Sequence, residues 1–318
     1  MKGFSCKEEK WYFGDEKING YKSIIENNNI IYQGELSDGK YHGFGILYNL
    51  KKRKLYKGEF SNGLFHGKGR IYHDDGSIKY IGNFCNSKLN GYGTYYSRTG
   101  RLLYAGNFLN GQYHGDGILY NYNKKPIYEG NFLNDTRSGF GKFYKYVNNI
   151  QYLYYVGYCH NGFFHKAGIL YHNNGNISYS GDFHMGEFHG IGVTFNSYGV
   201  KLYEGEFSNG NYHGFGIKYA NGEKIYEGTF ENSNYQGYGI SYKNNQKEYE
   251  GIWIKNMKED IRKGYIKKLI EYSVKYKINI LPMNGENIMD ISNRVFDKKE
   301  FIQDSDYITI QNILMKLY

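Results

Sequence analysis

The apolar and polar residues of this chain follow a pattern that recurs about every 24 residues. Each copy opens with Tyr-x-Gly, and in seven of nine copies an aromatic follows at position five, as in Tyr56-Lys57-Gly58-Glu59-Phe60; the exceptions are Leu36 and Cys159. Alternation with a period of two is typical of a β-strand, and it places both rings and the glycine on one face. The opening tyrosines, which define position one of each copy, are Tyr32, Tyr56, Tyr80, Tyr104, Tyr128, Tyr155, Tyr179, Tyr203 and Tyr226.

A turn and a second strand complete each copy. Pairs such as Asn62-Gly63 and Asn110-Gly111 tolerate positive φ and favour tight reversals between antiparallel strands. The second strand carries Gly-x-Gly-x-x-aromatic, as in Gly67 to Tyr72. Each copy is therefore predicted to be a β-hairpin that packs only against its neighbours. The predicted fold class is an all-β repeat array, a single-layer antiparallel β-hairpin meander or solenoid.

A glycine stands at position three in all nine copies. Glycine inside a strand usually weakens the strand and marks a close approach by another group. Since rings flank this glycine, we expect it to leave room for a ring from a neighbouring strand. These structural glycines are Gly34, Gly58, Gly82, Gly106, Gly130, Gly157, Gly181, Gly205 and Gly228.

Tyr-x-Gly, a turn, and then His-Gly-x-Gly with an aromatic resemble the MORN (membrane occupation and recognition nexus) repeat. The resemblance covers about residues 32–251, with nine copies and a partial tenth that opens at Tyr249. Some copies depart from the pattern, as where Lys166 replaces the glycine after the histidine. The resemblance implies tethering and organising roles at membranes and cytoskeletal structures, often with dimerisation, and a link to lipid.

The chain before the repeats reads as a degenerate lead-in. Ile24-Ile25 and Ile30-Ile31 predict a hairpin that joins the first full copy. The last strand of a sheet exposes unpaired backbone groups, so terminal repeats are usually atypical. We interpret residues 1–31 as an N-terminal cap.

Residues 252–318 lose the period and predict a small C-terminal α-helical tail. Helices are expected over residues 259–275, around Ile288 to Val295, and after a cap at Ser305-Asp306. Pro282 and Gly285 are expected to interrupt the first helical pattern. We expect the tail to pack on the last repeats through apolar residues, with partner binding as the alternative. The apolar residues are Ile261, Leu269, Ile270, Ile310, Ile313, Leu314 and Leu317.

Charge and cysteine content indicate which partners and which cellular compartment to expect. The net charge of +9 favours acidic partners, including an anionic membrane, although it also fits an ordinary solvated surface. Three cysteines without a CxxC spacing fit a reducing compartment. No signal-peptide pattern is present, and no window approaches the ~18 apolar residues of a spanning helix. We expect a cytoplasmic protein, with peripheral attachment to a membrane or cytoskeletal structure left open.

A histidine recurs at position eleven, which raises the question of a metal site. Equivalent residues in successive hairpins lie two strands apart, about 9.5 Å, whereas zinc needs ligand atoms at about 2 Å. We therefore expect no metal and interpret the histidines as residues that hold the turn by a hydrogen bond. They are His42, His66, His114, His165, His189 and His213.

Catalytic and nucleotide motifs are not recognisable in the sequence. Gly43-Phe44-Gly45 is not a phosphate-binding loop, because such loops precede a helix and this one precedes more strand. No Ser/His/Asp set or Cys/His pair recurs at a recognisable spacing. We expect no enzyme, no cofactor and no nucleic-acid partner.

A second aromatic ladder, at position seventeen, is the candidate partner-binding site. Either it belongs to the core, where cross-strand aromatic pairs contribute ~0.2–1 kcal/mol each, or it lines an open groove that receives a partner such as a helical segment. Its members are Tyr48, Tyr72, Tyr96, Tyr120, Tyr144, Tyr171, Phe195, Tyr219 and Tyr242.

These observations predict a non-enzymatic scaffold or adaptor that binds protein partners along the repeats, with a homodimer as a further option. The alternative is a peripheral binder of anionic phospholipids, or a regulatory subunit that localises an enzyme to a membrane. Basic residues are spread along the chain, as in Lys51 to Lys54 and Lys267-Lys268, rather than clustered on one face. This spread favours protein partners over lipid.

Overall fold

A computed structural model describes residues 4–7, 10–13, 16–276, 288–297 and 299–317. The strands are β1 Phe4–Lys7, β2 Lys10–Phe13, β3 Glu16–Lys17, β4 Gly20–Glu26, β5 Asn29–Ser37, β6 Lys40–Tyr48, β7 Lys54–Ser61, β8 Leu64–Tyr72, β9 Ile78–Cys85, β10 Lys88–Tyr96, β11 Leu102–Leu109, β12 Gln112–Tyr120, β13 Pro126–Leu133, β14 Thr136–Val147, β15 Ile150–His160, β16 Phe163–Tyr171, β17 Ile177–His184, β18 Glu187–Phe195, β19 Lys201–Ser208, β20 Asn211–Ala220, β21 Glu223–Glu231, β22 Asn234–Lys243, β23 Gln246–Ile254 and β24 Met257–Lys258. The helices are α1 Glu259–Tyr276, α2 Ile288–Phe296 and α3 Asp304–Leu317, with a 3-10 turn at Lys299–Phe301.

The chain divides into two compact units. The first contains residues 1–189 and 195–199, and the second contains residues 190–194 and 200–318. In the first unit, β1 to β3 form a small antiparallel sheet, and each strand from β4 to β17 pairs antiparallel with the next. In the second unit, β19 to β24 pair in the same way. The predicted all-β array of hairpins with a helical tail is confirmed.

Two-residue turns close the hairpins as the sequence predicts. Asn62 and Gly63 have φ of 51° and 87°, and Asn110 and Gly111 have 53° and 91°. Positive φ at both central residues is typical of a type I′ turn, whose twist matches that of the flanking strands. Asparagine and glycine adopt this conformation at low cost. The Asn-Gly pairs therefore fix where these hairpins reverse, and other pairs with positive φ, such as Asn86-Ser87 and Met185-Gly186, take the same place in other copies.

The strand before the first full copy forms the predicted hairpin. Ile24 on β4 lies opposite Tyr32 on β5 and is fully buried. Lys22 stands opposite Gly34, where later strands have a glycine. Strand β4 thus supplies the second half of a repeat whose glycine is missing, as expected of a degenerate lead-in.

Glycines pair with glycines across the sheet. Gly58 lies opposite Gly69 on one side and Gly45 on the other. We call this line of residues the glycine row. It runs through Gly34, Gly45, Gly58, Gly69, Gly82, Gly93, Gly106, Gly117, Gly130, Gly141, Gly157, Gly168 and Gly181 in the first unit, and through Gly205, Gly216, Gly228, Gly239 and Gly251 in the second.

The tyrosine of position one covers the glycine row on one face, which we call the ring face. All nine of these tyrosines are fully buried. The ring of Tyr56 stacks on Phe65 with centroids 3.9 Å apart, and it meets Phe60 and Phe84 edge to face at 5.0 and 5.2 Å. Its Oη donates a hydrogen bond of 2.8 Å to the carbonyl oxygen of Glu59. The core is therefore a stack of rings that passes from one hairpin to the next.

Close packing explains the glycines. A Cβ added to Gly58 would lie 2.5 Å from the Cα of Gly69 and 2.6 Å from Oη of Tyr56, closer than real Cβ atoms approach. The ring above Gly58 comes from its own strand, so the expectation of a ring from a neighbouring strand is wrong for position three. It holds for the opposite glycine, because Gly69 on β8 lies under Tyr56 on β7.

The hairpin β14–β15 is longer than the others. The step from Tyr128 to Tyr155 is three residues longer than the usual step. The additional pairs continue outward to Val147 opposite Ile150, while Gly141 still lies opposite Gly157. The extra length is thus absorbed at the end of the hairpin, and the glycine row is undisturbed.

The tail packs on the last repeats through α1, as predicted. Helix α1 contacts β23 and β24, and α3 packs on α1 and α2. The predicted burial of Ile261 and Ile270 is wrong, because α1 buries only the stripe that contains Leu269. Helix α3 starts at Asp304, so Ser305-Asp306 lies in its first turn rather than capping it. Pro282 and Gly285 lie outside the described residues. The tail core consists of Leu269, Ile291, Val295, Ile302, Ile310, Ile313, Leu314 and Leu317.

Candidate functional site

A groove lies above the glycine row on the face opposite the ring face, which we call the groove face. Successive residues of a strand point to opposite faces, so the residues on either side of each glycine point to this one. Positions two and fifteen form the first wall, as with Lys57 and Arg70, which lie opposite each other. Positions four and thirteen form the second wall, as with Lys68 and Asn83. The backbone of the glycine row is the floor.

The groove segment over β6 to β10 is basic and aromatic. It has a volume of about 540 Å³, and its lining includes Phe44, Lys57, Lys68, Arg70 and Tyr92. One acidic residue, Glu59 at position four, lies next to this lining, and its Oε1 accepts a hydrogen bond of 3.1 Å from the backbone N–H of Lys68. Within the part of the chain that the structure describes, none of these three cations forms an ion pair. The Nζ of Lys57 lies 5.8 Å from the ring centroid of Phe44. This segment therefore presents positive charge beside exposed rings.

The adjoining segment, over β10 to β14, carries both charges. It has a volume of about 480 Å³, and its lining includes Tyr92, Asp116, Glu129, Phe140 and Lys142. Tyr92 contributes to both segments. The groove thus keeps its aromatic character along the sheet while its charge changes.

Exposed rings at position thirteen are functional candidates that sequence reasoning missed. The columns that draw attention in the sequence are aromatic in nearly every copy, whereas position thirteen varies from copy to copy. The available signal was an apolar residue between the two glycines of Gly-x-Gly, since alternation turns it away from the ring face. These residues are between 47% and 59% exposed, and they are Phe44, Tyr92, Phe140, Phe215 and Tyr238.

The ladder at position seventeen lies beside the first wall of the groove, on the same face. Oη of Tyr48 donates 2.9 Å to Gln33, and Oη of Tyr144 donates 3.1 Å to Glu129. Burial and the hydrogen bond to Glu129 raise the pKa of Tyr144 to about 12. The role of this ladder in binding remains a prediction. All nine residues are half-buried, namely Tyr48, Tyr72, Tyr96, Tyr120, Tyr144, Tyr171, Phe195, Tyr219 and Tyr242.

In the second unit, the groove face carries a cluster of lysine, glutamate and tyrosine. Nζ of Lys201 lies 2.7 Å from Oε2 of Glu204, and Oη of Tyr219 donates a hydrogen bond to the same carboxylate. Hydrogen bonds from Lys201 and Tyr219 hold the pKa of Glu204 below its usual range. Burial and Glu204 raise the pKa of Tyr219 to about 12. The next copy repeats this cluster with Lys224, Glu227 and Tyr242.

Four of the six histidines of position eleven contribute a backbone carbonyl to the packing of the buried tyrosine. The carbonyl oxygens of His42, His66, His189 and His213 accept from the tyrosine of position one at 3.4–3.5 Å. These distances are long for an O–H···O bond. The bonds therefore assist the packing only weakly. In the described residues, no three His, Cys, Asp or Glu side chains are placed to hold a metal ion.

Comparison with known families gives one match. Residues 32–48, 56–78, 80–100, 104–123, 128–149, 179–199, 203–224 and 226–247 match the model of the MORN repeat, and together they make up more than half of the chain. The copy that opens at Tyr155 is not matched, although Gly157 and Gly168 keep the common register. No curated protein matched the sequence. No helix among the described residues is long and apolar enough to cross a lipid bilayer.

Proposed function

Since the chain belongs to the MORN repeat family, we propose that it is a non-enzymatic scaffold that binds acidic segments of partner proteins in the groove above the glycine row. One observation carries this proposal. The groove segment over β6 to β10 places three cations without ion pairs in the described structure between two exposed rings. The adjoining segments would offer further docking positions along the same face.

The chemistry of this segment favours a particular kind of partner. Lys57 and Arg70 stand on one wall and Lys68 on the other, so an occupant of the groove meets positive charge from both sides. Complementary charge steers association and fixes specificity. Phe44 and Tyr92 add the aromatic contact area that is enriched at protein interfaces. An acidic segment that also contains large apolar residues fits both features.

Binding of anionic phospholipid is the second candidate, because the same three cations would attract acidic headgroups. Such attraction contributes about 1 kcal/mol per basic residue near a membrane surface. The cations line a concave groove, however, and a bilayer is flat on this scale. A regulatory role, in which the bound partner is an enzyme at a membrane, is compatible with either candidate.

The test compares two triple variants of the full chain. The groove variant combines Lys57→Glu, Lys68→Glu and Arg70→Glu. The control variant combines Lys51→Glu, Lys52→Glu and Lys88→Glu, which make the same charge change at exposed lysines outside the groove lining. The probes are a fluorescent acidic peptide with leucine and tryptophan, its lysine-substituted counterpart, and phosphatidylcholine vesicles with phosphatidylserine.

We expect the acidic peptide to bind the wild-type protein and the control variant. The groove variant should lose on the order of tenfold or more in affinity, equivalent to about 1.4 kcal/mol. Added salt should weaken the binding, since charges near the surface are screened. Equal binding of the acidic peptide by both variants would refute the groove as the binding site. Binding of vesicles but not of the acidic peptide would favour the lipid candidate instead.

A further inference from the structure

Four histidines form a row across adjacent strands of the first unit. The ring centroids of His160 and His165 are 5.9 Å apart, those of His165 and His184 are 5.5 Å apart, and those of His184 and His189 are 5.5 Å apart. They stand in order on β15, β16, β17 and β18. We call these four residues the histidine row. It holds four of the ten histidines of the chain.

The sequence builds this row with two His-x-x-x-x-His motifs. Each motif spans the two-residue turn of a hairpin, at Asn161-Gly162 and at Met185-Gly186. Histidines at position eleven alone would lie two strands apart, about 9.5 Å. His160 and His184 stand at position six, on the strands between, and they halve that spacing. Imidazoles of neighbouring strands therefore come close enough to share an ion, which one histidine per copy would not allow.

We propose that the histidine row binds a divalent transition metal ion, such as Zn²⁺, through pairs of imidazoles on neighbouring strands. Imidazole nitrogen is a preferred ligand of zinc, copper and nickel. Two imidazoles bound to one tetrahedral ion at 2.0–2.1 Å have ring centres roughly 5 Å apart. The 5.5 Å pairs match this separation after small side-chain rotations. No three His, Cys, Asp or Glu side chains of the described residues converge on one point, so an ion bound by two imidazoles would keep open coordination positions.

The surroundings of the row leave a ring nitrogen without a partner and place carboxylates nearby. Nδ1 of His165 is shielded from solvent and has no hydrogen-bond partner in the described structure. Asp182, two residues before His184 on β17, and Glu187, two residues before His189 on β18, supply negative charge on the same face. Their charge offsets that of a bound cation.

The test uses the full chain after treatment with a chelator, titrated with Zn²⁺ alone and followed by calorimetry. The central variant is His184→Gln, because His184 takes part in two of the three close pairs. The matched control is His213→Gln, at position eleven outside the row. A third variant, His160→Gln, removes only the widest pair. Thermal unfolding without metal checks that each variant is folded.

We expect the wild-type protein and His213→Gln to bind Zn²⁺ alike. His184→Gln should lose on the order of tenfold or more in affinity, and His160→Gln should lose less. Binding should weaken as the pH falls below about 6.5, since protons compete for imidazole. An absence of binding to the wild-type protein would overturn the proposal. So would equal affinity of His184→Gln and His213→Gln, which would place the ion elsewhere.

Discussion

Two copies pack their ring faces in the same way. One opens at Tyr56 in the first unit, and the other opens at Tyr203 in the second. Both tyrosines are fully buried, and each donates a hydrogen bond of 2.8 Å to the carbonyl oxygen three residues later. Each ring stacks on an aromatic of the second strand, Phe65 at 3.9 Å and Tyr212 at 3.8 Å. The two copies are thus interchangeable as parts of the fold.

Their groove faces differ at position two. The first copy has Lys57 there, whereas the second has Glu204, which pairs with a lysine three residues earlier and a tyrosine fifteen residues later. The first copy has the same lysine and tyrosine, Lys54 and Tyr72, and lacks only the carboxylate between them. The residue at position two therefore decides whether this lysine and tyrosine have a carboxylate to bind. The other two groove cations of the first copy, Lys68 and Arg70, are replaced by Phe215 and Ile217 in the second. The fold depends on the ring-face columns, and binding specificity is free to vary in the positions between them.

The largest effect should come from breaking the ring face that both copies share. Gly69→Val and Gly216→Val each place a side chain where Oη of the covering tyrosine now lies, Tyr56 in the first copy and Tyr203 in the second. Overpacking typically costs ~1–3 kcal/mol, and the backbone leaves little room to relax here. Urea unfolding should show a similar loss for both. The neighbouring variants Lys68→Val and Phe215→Val serve as controls, and a loss as large as that of the glycine variants would contradict this packing.

A smaller loss is expected from the buried hydroxyl groups. Tyr56→Phe and Tyr203→Phe each remove a hydrogen bond of 2.8 Å and a longer one of 3.4 Å, and leave both carbonyl acceptors without that donor. Such losses cost about 0.5–1.5 kcal/mol. Tyr72→Phe, at the half-buried position seventeen, should cost less. Thermal unfolding of the three variants measures the order, and a reversed order would show that the ladder at position seventeen belongs to the core.

Reciprocal substitutions can exchange the residues that the two copies carry at position two. Lys57→Glu gives the first copy the carboxylate that pairs in the second, and Glu204→Lys removes that carboxylate from the second copy. We expect a slight stabilisation for Lys57→Glu and a destabilisation for Glu204→Lys, each within about 1 kcal/mol because exposed ion pairs contribute little. Denaturant midpoints at low salt measure both. If the two substitutions shift stability in the same direction, the lysine–glutamate–tyrosine cluster is not the cause of the difference.

The smallest effect concerns pH. The depressed pKa of Glu204 means that its ionised form stabilises the folded state above the unfolded pKa, about 4.3. This contribution is lost as the pH falls through the lower, folded pKa. The destabilisation caused by Glu204→Gln should therefore be present at pH 7 and diminish as the pH falls below about 4.3. Lys57→Gln is the matched substitution in the first copy, and it should show no such pH dependence.

The fold could be predicted because its determinants are columns with little variation. Tyrosine, glycine and a two-residue turn recur at fixed spacing, and each has a local reason that is kept in every copy: a ring to bury, a close approach and positive φ at the turn. The face of the sheet to which each column belongs could not be predicted. It depends on a shift of register inside each hairpin, as between Gly58 and Glu59 on β7.

The features that the sequence did not predict lie at positions where the copies differ from one another. The stacking ring at position ten is replaced by Arg137 in one copy, and the next copy has Cys159 in place of the phenylalanine of position five. Both changes face the same ring: the guanidinium of Arg137 is 5.9 Å from the centroid of Tyr128, and Sγ of Cys159 is 3.8 Å from its hydroxyl. Only the three-dimensional register shows that two distant departures form one contact. The contacts of His160 and His184 with histidines of neighbouring strands could not be predicted for the same reason.

The extended hairpin β14–β15 has a consequence for how this molecule can be engineered. Its extra residue pairs end at Val147 and Ile150, while Gly141 and Gly157 keep their alignment. Foreign sequence inserted between these two ends, at Asn148-Asn149, would therefore leave the neighbouring copies in place, since exposed hairpin tips tolerate insertion. A fluorescent or epitope tag at that tip would report on the intact protein, and other tips would accept the same graft.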